Sequence, residues 1–191
     1  MSGKTGERKL QILQTLAEML EQPQSARITT AALAAKMQLS EAALYRHFAS
    51  KAQMFEGLFE FIETTIFTLT NQIISTQPNG IEQAKKITMM LLSFAERNKG
   101  MTRVLCGDAL VNEDARLQAR ASQITDRIDA TLRQCLRQAV TANEMPASAQ
   151  TTAIAALLTQ LILGSWLRFA QSSWQVSPGK YAEIQLQVIL G

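Results

Sequence analysis

The chain has 191 residues, of which 47% are hydrophobic and 18% charged; this balance describes one or two small folded domains with a real core and excludes a disordered chain. Nine Gly and four Pro argue against an all-β chain, and the abundance of Ala, Leu, Gln and Met favours helix, so the expected fold class is all-α. The formal net charge is +3, and it is unevenly placed.

Residues 1–51 carry seven Lys and Arg against four acids, while the remaining residues carry twelve of each sign. A basic end on a neutral body is the electrostatic footprint of a nucleic-acid reader. Residues 1–6 are expected to form a loose, weakly basic arm. Leu10, Leu13, Leu16, Ala17 and Leu20 then recur at helical spacing, which predicts a first helix over about 7–21, ended by Pro23. From Arg27 to Lys51 the sequence RITTAALAAKMQLSEAALYRHFASK reads as two short helices joined by a tight turn. Thr29 or Thr30 caps the first, with Leu33, Ala34 and Met37 on its inner face. Ser40 caps the second, in which Ala43, Leu44 and Phe48 face inward and Glu41, Ala42, Tyr45, Arg46 and His47 stay outside. Two helices and a turn of this kind match a helix-turn-helix, whose second helix enters the major groove of DNA. Phosphate or positioning roles fall to Thr29, Thr30, Tyr45, His47 and Lys51, and base-edge roles to Ser40, Glu41, Ala42 and Arg46. In such a helix His47, the single histidine, suits a phosphate or a structural hydrogen bond better than catalysis.

Ser50 and Gln53 form a capping box that opens a long helix over about 51–76. Its apolar positions (Met54, Phe55, Leu58, Phe59, Phe61, Ile62, Ile66, Leu69 and Ile73) exceed one stripe, as expected of a link between a DNA-binding domain over 1–51 and a regulatory and dimerisation domain over 52–191. Gln77-Pro78-Asn79-Gly80 is a turn. A fifth helix follows to about residue 98, with Gly100 as its C-terminal stop, then a short sixth over about 101–110. Asn112, with Glu113 and Asp114 in the first turn, opens a seventh helix that carries Arg133 and Arg137 in its last turns. Pro146 starts an eighth, running to about 173. No charged residue occurs from Thr151 to Leu167. That length is marginal for a bilayer, and a helix apolar on most faces in a soluble chain needs cover on most faces, so a second copy is the expected cover and no membrane is called for. Leu157, Leu161, Gly164, Ser165 and Arg168 are the expected interface residues. Ser177-Pro178 caps a ninth helix ending near residue 190, and the last two helices of each copy would make a four-helix dimer interface.

No Gly-rich phosphate loop, HExxH, GxSxG or CxxC is present, so the chain is not expected to be an enzyme and no metal or cofactor is implied. Cys106 and Cys135 match no metal spacing and no disulfide framework. With no apolar leader at the N-terminus they are expected to be reduced thiols of a cytoplasmic protein.

The stretch ITTAALAAKMQLSEAALYRHFASKAQMFEGL resembles the N-terminal domain of the TetR family of repressors. RITTAALA, SEAALYRHF, FEFIE (59–63), AERN with GMTR (95–103) and LRQCLRQ (132–138) resemble the branch of that family that acts in nucleoid occlusion, ungapped to about residue 138. The resemblance implies a nucleoid-associated homodimer, able to assemble further on DNA, that binds near-palindromic double-stranded DNA. It also implies that this dimer engages the C-terminal tail of the tubulin-like cell-division protein FtsZ and antagonises Z-ring assembly over the chromosome. The tail lies along a groove between the fourth and fifth helices in that branch, and the matching positions are Phe61, Met90, Ser93, Arg97 and Asn98. The chain departs from its relatives at Gln38, where many carry Gly, at Ala49, where many carry Pro, and at Leu69 and Lys99. The alternative is a ligand-responsive repressor, with Met89, Met90, Phe94 and Cys106 lining a small-molecule cavity.

Overall fold

The computed structural model describes the backbone of residues 2–22, 28–111 and 113–191, with side chains from Gly6 onward. Among the described residues the regular structure is entirely helical, as expected: α1 (Ser2–Leu20), α2 (Thr30–Lys36), α3 (Glu41–Tyr45), α4 (Lys51–Thr76), α5 (Gly80–Arg97), α6 (Lys99–Leu105), a 3-10 turn (Asp108–Leu110), α7 (Ala115–Thr141), α8 (Thr151–Gln171) and α9 (Ala182–Leu190). The expected roles of Pro23 and Asn112, and the charge of Arg27, lie outside the described residues. The chain forms two compact units. One comprises Met1–Ile62 with Asn98–Ala121, the other Glu63–Arg97 with Ser122–Gly191.

In the first unit α1 packs on α6 and α2, and α2 packs on α3. Its core is built from Ile12, Leu16, Leu33, Leu44, Met54, Phe55, Leu58, Val104 and Leu117, all at most 1% exposed. α1 begins at Ser2, so residues 2–6 are helical and not a loose arm; the stretch holds no proline, and its two glycines, Gly3 and Gly6, each cost little near a helix start. Gly100 is not the stop of α5 either. It lies inside α6, where an added Cβ would stand 1.9 Å from the carbonyl oxygen of Ala17. The missing side chain is what lets α6 approach the backbone of α1. Arg103, one turn on, fastens the same contact. Its Nη1 donates to the carbonyls of Leu20 (3.1 Å) and Gln22 (2.9 Å), and its Nε to Asp108. These carbonyls at the end of α1 have no partner within their own helix. The sixth helix is shorter than expected because Gly107, at φ 76°, breaks it before the 3-10 turn. Glu113 and Asp114 precede α7 instead of occupying its first turn: Asp114 accepts from the amide of Arg116 at 3.0 Å, as a residue before the first helical turn can. The Arg116 guanidinium, hydrogen-bonded to the same carboxylate, pulls Asp114 down to about 2.

In the second unit α5 packs on α8, and α9 packs on both. α5 buries Ala84, Ile87, Leu91 and Leu92, and α8 buries Ala155, Leu158, Ile162 and Trp166. The Trp166 indole donates to the carbonyl of Leu91 at 3.0 Å, so a ring that is 1% exposed buries its area with its N–H satisfied. Asn79 caps α5 by accepting from Glu82 at 2.9 Å. Buried Gln83 donates to the carbonyl of Gln77 at 2.6 Å and closes the end of α4. α7 ends on Asn143 at φ 58°, with Glu144 N–H donating to Ala139 (2.8 Å) and Asn143 N–H to Val140 (3.1 Å). That is a Schellman stop, and it leaves Arg133 and Arg137 short of the last turn. Pro146 sits in the turn that follows and does not start α8, which begins at Thr151. Likewise Ser177 does not cap α9. Its hydroxyl donates to Glu96, and Tyr181 takes the N-cap position. Cys135 is buried and Cys106 half-buried, both as free thiols. Burial, helped by the charge of Asp108, pushes Cys106 up to about 12, so it stays a neutral thiol.

α8 is long and apolar enough to cross a membrane by length and composition, and 39% of its apolar window is buried. The buried share is the side that carries Trp166. Leu157 (51% exposed) and Leu167 (40%) on α8, with Ile184 (65%) and Val188 (81%) on α9, remain in the open.

Two helical glycines make contrasting predictions. Gly100→Ala should lower stability by about 1–3 kcal/mol, because backbone must move to admit the methyl group. Gly6→Ala in α1, which meets nothing within 4 Å, should be neutral or stabilise the chain by about 0.5–1 kcal/mol. Urea unfolding of both variants checks the contrast.

Candidate nucleic-acid interface

The two short helices form as their caps dictate. Thr29 is the N-cap of α2, its hydroxyl accepting from Ala32 N–H at 3.1 Å. Ser40 is the N-cap of α3 and accepts from Ala43 N–H at 3.2 Å. Between them Gln38 stands at φ 55°. Leu39 N–H donates to Ala34 (2.9 Å) and Gln38 N–H to Ala35 (3.0 Å), so Gln38 holds the left-handed position of a Schellman stop, where glycine is the usual occupant. A side chain there costs about 1–2 kcal/mol. α4 opens with Ser50 accepting from Gln53 N–H at 3.1 Å. The returning Gln53 side chain reaches Ala49 N–H at 2.9 Å, one residue earlier than a capping box requires.

The structure places Thr29, Ser40, Glu41, Ala42, Tyr45 and Arg46 in the open, and Thr30, His47 and Lys51 half-buried, all within the first unit. Leu44 and Phe48 turn inward at 0% and 7% exposure, which fixes the outer face of α3. Three of the outer residues form one chain of hydrogen bonds. Thr30 donates to a carboxylate oxygen of Glu41 at 2.6 Å, and the Tyr45 hydroxyl donates to Thr30 at 3.3 Å. Thr30 on α2 thus holds Glu41 and Tyr45 from opposite ends of α3 in fixed orientations. Arg46 lies just beyond that chain. The buried Nδ1 of His47 meets no hydrogen-bond partner among the described residues.

Two of these contacts carry no signal in the local sequence. The Thr30–Glu41 bond joins residues eleven apart across the turn. Lys51, read as a phosphate contact, is paired with Glu113 from the segment before α7, 62 residues away. The two side chains are 20% and 11% exposed, so much of the lysine's charge is already answered inside the unit.

Of the five positions implied for a peptide partner, Phe61 and Asn98 belong to the first unit, and Met90, Ser93 and Arg97 to the second. Arg97 is exposed and the other four half-buried. Asn98 is the N-cap of α6, and its carbonyl accepts from the amide and hydroxyl of Thr102. Of the residues read as lining a ligand cavity, Phe94 is buried and Met89, Met90 and Cys106 are half-buried. Met89 borders an open groove of about 490 Å³ in the second unit, with Lys86, Leu186 and Gln187.

Comparison with known proteins bears on the same residues. Residues 12–58 match the family described as bacterial regulatory proteins, tetR family, and residues 79–191 match the tetracyclin repressor-like C-terminal domain. The chain is 46% identical over 178 residues to the nucleoid occlusion factor SlmA of Marinomonas sp. (strain MWYL1), covering 93% of this chain and 90% of that one. It is 41% identical over 189 residues to the nucleoid occlusion factor SlmA of Idiomarina loihiensis, covering 99% and 96%. Among solved structures it resembles the transcriptional regulator FadR from Bacillus subtilis in complex with stearoyl-CoA, with TM-score 0.81 and 12% identity over 95% of this chain and 97% of that one. It also resembles the MbdR regulator from Azoarcus sp. CIB, with TM-score 0.78 and 16% identity over 94% and 95%. At such identities the two structures establish the fold alone.

The strain at Gln38 is testable without DNA. Gln38→Gly should raise stability by about 1 kcal/mol, the relief of the left-handed side chain less the extra freedom of glycine in the unfolded chain. Chemical denaturation should show a higher midpoint at unchanged slope.

Proposed function

Because the chain belongs to the SlmA family of nucleoid occlusion factors, which are TetR-type DNA-binding regulators and not enzymes, we propose that it acts as a homodimer on near-palindromic DNA and, once bound, engages the C-terminal tail of FtsZ. The observation that carries this reading is identity of 41% spread over 99% of the chain and 96% of a SlmA relative, which includes both the reading helix and the second unit. As a DNA-binding regulator of this class the protein is cytoplasmic, and association with the nucleoid follows from duplex binding.

In this reading α3 enters the major groove. Ser40, Glu41, Ala42 and Arg46 meet base edges there, while Thr29, Thr30, Tyr45, His47 and Lys51 position the backbone. The Thr30–Glu41–Tyr45 chain supports the assignment by keeping the outer face of a five-residue helix rigid. Lys51 reaches a phosphate by exchanging Glu113 for it. The apolar side chains left open on α8 and α9 support dimerisation, with Leu157, Leu161, Gly164, Ser165 and Arg168 in the interface and small Gly164 and Ser165 allowing close approach. For the tail, Phe61 and Met90 supply apolar contact, and Ser93, Arg97 and Asn98 hydrogen-bond the peptide backbone or an acid.

Two measurements test the halves separately. Arg46→Ala should weaken operator binding by about 1–3 kcal/mol if it meets a base; unchanged affinity and salt dependence would remove Arg46 from the site. With operator present, a fluorescent FtsZ tail peptide should be retained by the parent chain in a polarisation assay and released by Arg97→Ala. No retention by the parent at high peptide concentration would contradict the FtsZ half and leave the DNA half standing.

A further inference from the structure

Resting on the DNA-binding reading, we propose that Lys9 of α1 is a phosphate anchor for duplex DNA, outside the two-helix motif. Lys9 stands on a continuous helix that starts seven residues earlier, so its place is set by a rigid element. Its Nζ lies 5.4 Å from the centroid of the Phe48 ring. Phe48 is itself held in place. It is 7% exposed, and its Cε1 would stand 3.1 Å from a Cβ at Gly57, with Leu13 beside it. The Lys9 ammonium thus lies over a fixed aromatic ring while the side chain stays exposed to water. Phe48 follows Tyr45, Arg46 and His47 directly, so the Lys9 charge sits at the C-terminal end of the reading segment.

The other lysines near this face are already answered. Lys51 also lies over a ring, 5.7 Å from the centroid of Phe55, but Glu113 holds it. Lys36 is paired with Glu18 at 3.3 Å. No described carboxylate pairs with Lys9, which is exposed. A phosphodiester can therefore take its ammonium without breaking an ion pair, and the contact carries charge without reading sequence.

The test is the salt dependence of duplex binding by the full chain. Affinities of the parent, Lys9→Met and Lys9→Arg are measured by anisotropy across a salt series. Two duplexes are used: one enriched from a random pool by the parent, and a shuffled duplex of the same composition. Lys9→Met should flatten the slope of log K against log salt by about 0.9 per protomer and weaken both duplexes by the same factor, and Lys9→Arg should restore the parental slope. A Lys9→Met chain that melts like the parent and keeps its slope would overturn the proposal, as would a loss confined to the enriched duplex. A parent that binds neither duplex would instead overturn the DNA reading itself, a result visible before any variant is measured.

Discussion

A helix with no charge over seventeen residues cannot stay half-covered in water without consequence. In α8, Trp166, Ile162, Leu158 and Ala155 are buried, while Leu157, Leu167 and the open side of Gly164 are not. α9 adds Ile184 and Val188 to the open set. Scattered surface leucines are ordinary, but apolar side chains gathered on two neighbouring helices mark an interaction surface. A second copy of the same surface satisfies it by symmetry. A paired reader of an inverted repeat needs this pairing first, since a single five-residue helix such as α3 offers too few contacts to select a site alone.

The first unit depends on a different constraint, the approach of two backbones. Gly100 lets α6 touch the carbonyl of Ala17, and Arg103 ties the last carbonyls of α1 to the same helix. α1 in turn carries Leu13, Leu16 and Leu20 into the core beneath α2. The unit that carries α1–α3 is therefore assembled from two stretches of chain, and residues from Asn98 onward are as much part of it as the two short helices. Lys51 and Glu113 repeat the pattern: a side chain from the motif is answered by one from the segment leading into α7.

How much of this was legible in the sequence follows from the range of each interaction. Caps act over three residues, so Ser40 and Ser50 could be read directly and the cap of α2 narrowed to Thr29 or Thr30, and the strain at Gln38 followed from one substituted glycine. The bounds of α4 were legible because a strong cap opens it and Gln77-Pro78 closes it. Glycine is ambiguous. Gly100 reads as a helix stop, and only a partner 83 residues earlier, Ala17, makes it a packing position. Pro146 and Pro178 read as helix starts, but each lies in a turn that follows a left-handed stop, at Asn143 and at Ser173–Trp174. Arg103, Glu113 and the Thr30–Glu41 bond were not legible, because a polar side chain's period on its own helix does not reveal which distant atom it meets.

The direct test of a paired DNA reader is sedimentation of the purified chain, alone and then with an enriched inverted-repeat duplex or its shuffled counterpart at moderate salt. A dimer in the free state, and two protomers on the inverted repeat with weaker occupancy of the shuffled duplex, is the expected result. A monomer, or equal loading of both duplexes, would contradict it.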